Sequence, residues 1–343
     1  MTATSINSLF TKLTDGRNLT REEAYGVVEL LDAKEMSDVQ VAGFLAALTT
    51  KGPTTDEIAG IAEGMRDHCN FIRPEVSGRM IDTCGTGGGY STYNISTTVS
   101  IIASAEGIPV AKHGSRSISS KSGSADVLEK MGVDIDLGTD RAERLIEETG
   151  LAFLFAPNFH PIMRQVLPIE SQLEVKTVFY TIIGPLINPA GVKSHVLGVY
   201  EPEYVRMVGD ILEKMEYDHA LVIHGLDGLD ELSVVGRSSV AEVRNGTVDH
   251  YEITPEDVGL DRWSLEELEG GTPEDNANII RDVLNGEERG PKRDLAVMNA
   301  AGALYVGGKA NSLEDGVDLA EQSIDSGRAN EKLEELIDVS QEI

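Results

Sequence analysis

Cysteine is nearly missing from this sequence: Cys69 and Cys84 are the only 2 in 343 residues, and they have no metal-type spacing. That excludes a disulfide-stapled secreted scaffold and a thiolate zinc site, and it suits a reducing cytoplasm. Cys84 has no base beside it in sequence, so it reads as a small packing residue and not a nucleophile. Positive charge is scarce as well, with 29 basic residues against 58 acidic ones and a net charge of −29. The acidic excess is spread along the chain, as in proteins that stay hydrated in concentrated salt, and a halophilic source is expected. Such a surface repels phosphate backbones and anionic lipid, so nucleic acid and membrane are disfavoured as main partners. No apolar run approaches a membrane span, and a basic-then-apolar leader is lacking, so a soluble cytoplasmic protein is expected. No internal repeat or low-complexity tract stands out.

The chain is long enough for one large domain plus a small one. Residues 1–72 read as a helical domain. Thr20 precedes Glu23 by three residues, Ser37 precedes Gln40 and Thr54 precedes Glu57, each pair a capping box opening an amphipathic run. Val39, Val41, Ala42, Phe44, Leu45 and Leu48 make the second of these runs apolar enough to be buried on more than one side, and the exposed face of such a domain is a natural subunit interface. Residues 73–343 read as α/β. Short apolar runs at 79–83, 108–111, 152–155, 196–199 and 219–223 alternate with helical patterns, one of them capped from Asp140 to Glu143. This predicts a mainly parallel central sheet flanked by helices, with ligands beyond the carboxyl ends of its strands. Residues 233–255 carry alternating valines and turn residues, a β-rich excursion. Thr272-Pro273 starts another helix, and the rest of the chain is helical.

The stretch from Asp82 to Val127 holds the strongest chemical signal. Gly85-Thr86-Gly87-Gly88-Gly89 follows an apolar run and leads into Thr92, Asn94, Ser96, Thr97 and Thr98, with a helix expected over 99–106. Glycines let backbone N–H groups close on a ligand, and a helix start adds its partial positive end, so this is the design of an anion cradle. A second string, Lys112-His113-Gly114-Ser115-Arg116, continues through Ser120, Lys121 and Ser124 and gathers three cations in a very acidic chain. A lone glycine cluster is usually a tight turn. Two donor-rich loops, each after a strand-like run, point instead to a phosphate or pyrophosphate site. A third segment, His224 to Ser233, ends in Asp230-Glu231. By residue type alone an acidic pair in this chain reads as solvated surface; its position after a strand gives it a place on the same edge.

GTGG, NIST, AKHG, R-S-I-S-S and KSGSADVLE resemble the anthranilate phosphoribosyltransferases, and the similarity continues through most of the chain. The resemblance implies a nucleoside phosphorylase/phosphoribosyltransferase type of fold and a homodimer. It also implies transfer of the phosphoribosyl group of phosphoribosyl pyrophosphate to an aromatic nitrogen, in tryptophan biosynthesis. It places Gly85, Thr86, Gly87, Gly88, Gly89, Thr92, Asn94, Ser96, Thr97, Lys112, Ser120 and Ser124 on the donor. Asp230 and Glu231 then hold Mg²⁺ with the Ser96 hydroxyl as a further ligand, which suits a hard cation that keeps waters and phosphate oxygens around it. Lys112, Asp230 and Glu231 carry catalysis by stabilising the leaving pyrophosphate, with no covalent intermediate. His113, Ser115, His160 and Glu170 form the acceptor pocket, and Gly184-Pro185-Leu186-Ile187-Asn188-Pro189 shapes its wall.

The match weakens at the acceptor. Ser115 stands where the family has the asparagine of H-G-N-R, and Glu170 where it has the arginine that meets the anthranilate carboxylate. The family's L-G-x-R-T-x-F-N reads Leu173-Glu174-Val175-Lys176-Thr177-Val178-Phe179-Tyr180. Gly89 replaces an aspartate, in a loop one residue shorter before Thr92. A glutamate facing the carboxylate would cost about several kcal/mol in a partly desolvated pocket. Unless Lys176 or Arg164 substitutes, anthranilate should bind poorly, and Glu170 would better suit N–H donors or positive charge. The readings that follow are an anthranilate-type enzyme, a paralogue with the same donor and another amine or nitrogen heterocycle, a nucleoside phosphorylase-like enzyme, and a non-catalytic binding protein.

Overall fold

The computed structural model describes residues 5–117 and 121–343. Four helices come first: α1 (Ile6–Thr14), α2 (Arg21–Asp32), α3 (Asp38–Lys51) and α4 (Thr55–Asp67). The three capping boxes start α2, α3 and α4 where the sequence puts them. Glu23, Gln40 and Glu57 accept from the backbone N–H of Thr20, Ser37 and Thr54 at 2.9, 2.9 and 2.7 Å. Val41, Phe44, Leu45 and Leu48 are buried on α3, whereas Val39, expected with them, is 82% exposed because it lies in the first turn on the outer face.

A 7-stranded sheet follows, in the order β3-β2-β1-β4-β5-β6-β7. Its strands are β1 (Ile81–Asp82), β2 (Val110–Gly114), β3 (Leu151–Phe155), β4 (Ser194–Gly198), β5 (His219–Gly225), β6 (Ser238–Arg244) and β7 (Thr247–Ile253). The first five in chain order are parallel; β6 and β7 are the β-rich excursion and pair antiparallel. Ile81 of β1 lies between Val110 and Ser194, so the strand order reverses here and a crevice opens at the carboxyl ends of β1 and β4.

The crossovers are α5 (Ile95–Ala105), α6 (Ser124–Met131) and α7 (Thr139–Thr149). Helix α5 begins four residues before the expected 99, so Ser96, Thr97 and Thr98 form its first turn, while Thr92 and Asn94 stay in the loop ahead of it. Gly138, and not Asp140, caps α7; Asp140 sits in the first turn, and Glu143 accepts the Arg73 N–H at 2.5 Å. Between β3 and β4 come α8 (Ala156–Phe159), α9 (Pro161–Leu173), a wide helical turn over Phe179–Ile183 and α10 (Gly184–Leu186). Helix α11 (Glu203–Lys214) precedes β5, and α12 (Pro273–Leu284), α13 (Pro291–Val306), α14 (Leu313–Asp325) and α15 (Arg328–Glu342) close the chain.

Two apolar cores lie on the two faces of the sheet. Alternation along β5 divides its side chains between them: Leu221 and Ile223 join α5, α13 and α15, while Ala220 and Val222 join α11. The second core also takes in α1 to α4 and the inner face of α9, through Ile162, Val166 and Ile169. The N-terminal helices therefore share their interior with the sheet instead of enclosing one alone. Lys214 ties them down further, its Nζ reaching Asp56 at 2.6 Å and its carbonyl accepting from Arg21 at 2.9 Å.

Candidate active site

At the reversal point Asp82 ends β1 fully buried, and it is the knot of the crevice. Its Oδ1 accepts from the N–H groups of Thr83, Cys84 and His113 at 2.7, 3.0 and 3.2 Å, and Oδ2 accepts from Asn188 Nδ2 at 2.7 Å. One carboxylate thus fixes the start of the glycine loop, the end of β2 and the 184–190 segment together. Neither Asp82 nor Asn188 was given this role by sequence; an acidic residue closing an apolar strand just before a glycine run was the available signal.

A cavity of about 790 Å³ opens above this knot, large enough for a phosphorylated sugar and a small ring. Among the residues read from sequence, Gly85, Thr86, Gly87, Gly88, Gly89, Thr92, Asn94, Ser96, Lys112, His113, Ser115, Ser124, His160, Asp230 and Glu231 line it. Three segments far apart in sequence therefore do converge. Gly87 and Gly88, at φ +64° and +94°, take the left-handed backbone that turns the loop. Thr86 N–H donates to Gly198 O at 2.8 Å and Tyr90 N–H to Gly228 O at 2.8 Å, which lashes the glycine loop to the ends of β4 and β5. The fit is so close that a Cβ on Gly89 would lie 2.5 Å from Asp230 Oδ1 and 2.8 Å from its backbone N. The short loop has no room for the family's aspartate.

Lys112 is 2% exposed, and its Nζ donates to Ser96 Oγ at 3.1 Å, so a fixed cation stands behind the first turn of α5. Asp230 and Glu231 line the same cavity and make no ion pair with a lysine or arginine among the described residues. Enclosure raises the Asp230 carboxyl above its ordinary value. Glu231 is pushed up further, by burial first and by the charge of Asp230 second. Two oxygen-rich groups that resist ionising together fit a divalent cation, whose charge would relieve both.

One end of the cavity is walled by α9 together with the 176–187 segment. On α9, residues 163, 164 and 167 face the cavity, one helical stripe, with His160 just ahead of the helix beside them, while 162, 166, 169 and 170 face the core. Glu170 therefore does not line the cavity. It is 4% exposed and accepts the Thr177 N–H on Oε1 at 2.7 Å, so the expected acceptor contact is corrected to a brace under the 174–177 turn. His113 and His160 do meet, Nε2 to Nε2 at 3.1 Å, one ring donating and the other accepting. Burial keeps both uncharged, taking His113 down to about 4 and His160 well below its ordinary value. Ser115 lines the cavity as expected.

Other expectations need correction. Thr97, expected on the donor, is 1% exposed and turned away beneath Lys112, outside the cavity wall. Arg116 lines the cavity, but its guanidinium binds Asp126 and Glu129, both at 3.0 Å, so the three cations of that string do not act alike. Ser120 lies outside the described residues. The Cys84 thiol is pushed up to about 12 by burial, in keeping with a packing role. His195, without an evident partner in sequence, donates from Nε2 to Cys84 O at 2.7 Å.

Two domain models of the glycosyl transferase family match the chain: the helical bundle domain over residues 7–69 and the a/b domain over 77–330. The anthranilate phosphoribosyltransferase of Methanobrevibacter smithii is 46% identical over 335 residues, covering 97% of this chain and 98% of its own. That of Haloarcula marismortui is also 46% identical, over 95% of this chain and 98% of its own. The crystal structure of the Thermus thermophilus anthranilate phosphoribosyltransferase superposes with a TM-score of 0.91 at 43% identity, covering 97% of this chain and 99% of that one. The Saccharomyces cerevisiae enzyme, solved with PRPP and Mg, gives 0.88 at 27% identity over 98% of each chain. Sequence kinship from end to end and a shared fold lead to one conclusion: the chain belongs to the anthranilate phosphoribosyltransferase family.

Proposed function

We propose that this protein is a pentosyltransferase that moves the phosphoribosyl group of phosphoribosyl pyrophosphate to the amino nitrogen of anthranilate and releases pyrophosphate. The observation that carries the reading is the convergence of the glycine loop, Lys112 and the Asp230–Glu231 pair on one cavity, in a chain with full-length relatives of that activity. The N–H groups of the glycine loop and of the α5 start receive phosphate oxygens, while Lys112 supplies fixed positive charge. Asp230 and Glu231 would hold Mg²⁺, with Ser96 beside Lys112 as a further oxygen; the ion, when bound, neutralises the leaving pyrophosphate. The C–O bond at the anomeric carbon breaks as the amine nitrogen bonds to it, pyrophosphate carries off the C–O electron pair, and the nitrogen then sheds one proton to solvent. The uncharged His113–His160 pair adds no positive charge to oppose the one developing on the sugar ring.

The chief argument for a different acceptor was Glu170, and its place in the core removes that repulsion from the pocket. A paralogue with another amine now rests on Ser115 and on the missing arginine that Glu170 replaces, with Arg164 and Lys176 on the cavity wall as its candidate substitutes. In the cell we place the reaction in tryptophan biosynthesis, in the cytoplasm. The charge of −29 supports a source rich in salt, and the outer face of α3 with exposed Val39 supports a homodimer through the helical segment.

The test is a panel of aromatic amines, with donor and magnesium in concentrated potassium chloride, following pyrophosphate release. Turnover of anthranilate is expected, and Asp230→Ala with Glu231→Ala should abolish it. Release with a different amine alone would select the paralogue; release with none of them would remove the transferase reading.

A further inference from the structure

The three segments read from sequence are tied to one another at Tyr90–Gly228, Lys112–Ser96 and Asn94–Ser122. A fourth segment braces them. Residues 269–271, ahead of α12, run against the end of the glycine loop: Glu269 forms an antiparallel bridge with Thr92, and its Oε1 accepts from Tyr90 OH at 2.9 Å. Gly270 is pressed so closely on this strand that a Cβ there would lie 2.5 Å from Thr92 O. Asn276 follows, one turn into α12 and 2% exposed.

We infer that Asn276 is a positioning residue for the donor site, acting through Asn94. The directions of the hydrogen bonds are dictated by backbone groups at both ends of the chain they form. Gly271 N–H donates, so the atom it meets at 2.7 Å is Asn276 Oδ1. Asn276 Nδ2 must then face Asn94, where it donates to Oδ1 at 2.9 Å. That leaves Asn94 Nδ2 for Ser122 O, which only accepts, at 3.2 Å, while Ser122 Oγ donates back to Asn94 Oδ1 at 3.1 Å. Neither amide flips without setting two like groups face to face. Asn94 immediately precedes α5, and Ser122 lies two residues ahead of α6. Asn276 therefore sets the spacing between the glycine loop and the serine loop from outside the cavity, which it does not line. The inference rests on the phosphoribosyl reading of the cavity and adds to it a residue that touches no substrate.

Full-length Asn276→Ala and Asn276→Ser should both fold; the serine keeps a hydroxyl near Gly271 N–H and is too short to reach Asn94. Losing one directional bond in the brace is expected to raise the donor KM about tenfold. The acceptor KM should stay within about twofold, because the acceptor wall is α9. Asn94→Ala with Asn276→Ala should be no worse than Asn94→Ala alone, since the second residue acts through the first. Multiplying penalties, or a parallel rise in the acceptor KM, would overturn the inference. Donor stabilisation measured by melting, with phosphoribosyl pyrophosphate and magnesium but no acceptor, separates the two levels. Equal stabilisation of the unaltered protein and Asn276→Ser removes this inference alone; none in the unaltered protein removes the phosphoribosyl reading with it.

Discussion

His113 offers a prediction whose size follows from the structure. The residue is 3% exposed, it is the last but one of β2, and burial takes its pKa from 6.5 to about 4, against the smaller opposing pull of Asp82. An unfolded chain binds a proton at this residue below 6.5, whereas the folded one does not until about 4. Between these values the unfolded state carries more protons, so stability rises with pH and is lost as pH falls through the window. At about 1.4 kcal/mol per pH unit the residue contributes roughly 3 kcal/mol of acid sensitivity. For a chain of this length the unfolding entropy is roughly 0.7 kcal/mol/K, so the loss is about 4 °C in Tm. The assay compares melting of the unaltered protein and His113→Gln at about pH 7.5 and about pH 4.5, at constant high salt to screen the acidic surface. Whatever its starting Tm, His113→Gln should fall by about 4 °C less on acidification. Equal falls would show that the imidazole is not held neutral by its surroundings.

Three further outcomes follow. Gly89→Asp, which restores the family's residue, should weaken donor and magnesium binding at least tenfold by displacing the acid loop; tighter magnesium binding in a calorimetric titration would contradict the contact with Asp230. Glu170→Ala should lower Tm, because the Thr177 N–H is left unpaired at a cost of about 1–3 kcal/mol. Its ratio of kcat/KM between anthranilate and an uncharged analogue should not change, and a large gain for anthranilate would return Glu170 to the pocket. Asp82→Asn should damage donor and acceptor kinetics together, since one carboxylate orders three segments; a change confined to one substrate would refute that role.

The parts of the fold written in local chemistry were legible in the sequence. The capping boxes of α2, α3 and α4, the proline start of α12 and the apolar strand cores each depend on residues within a few positions of one another. The donor cradle was legible because glycine and hydroxyl residues are concentrated in one stretch and the acidic pair follows a strand. What stayed hidden depends on distant partners. Asp82 is one letter in a run until Asn188 and His113 arrive beside it. Glu170 was misplaced for a related reason: its position along α9 shows who its neighbours are, but not which stripe of that helix meets the core. Asn276 sits 182 positions from Asn94, beyond any spacing rule.

Helix α9 turns one stripe to the acceptor and packs the other into the interior shared with α1 to α4. On the proposed reading the two substrates are received by different supports: the sugar phosphate by strand ends, the aromatic ring by a helix that belongs as much to the N-terminal layer. Any tilt of that layer against the sheet is a tilt of the acceptor wall, while the cradle stays put. Evolution can therefore retune ring selectivity from positions on α3 and α9 that no ring ever meets, leaving the transfer chemistry untouched.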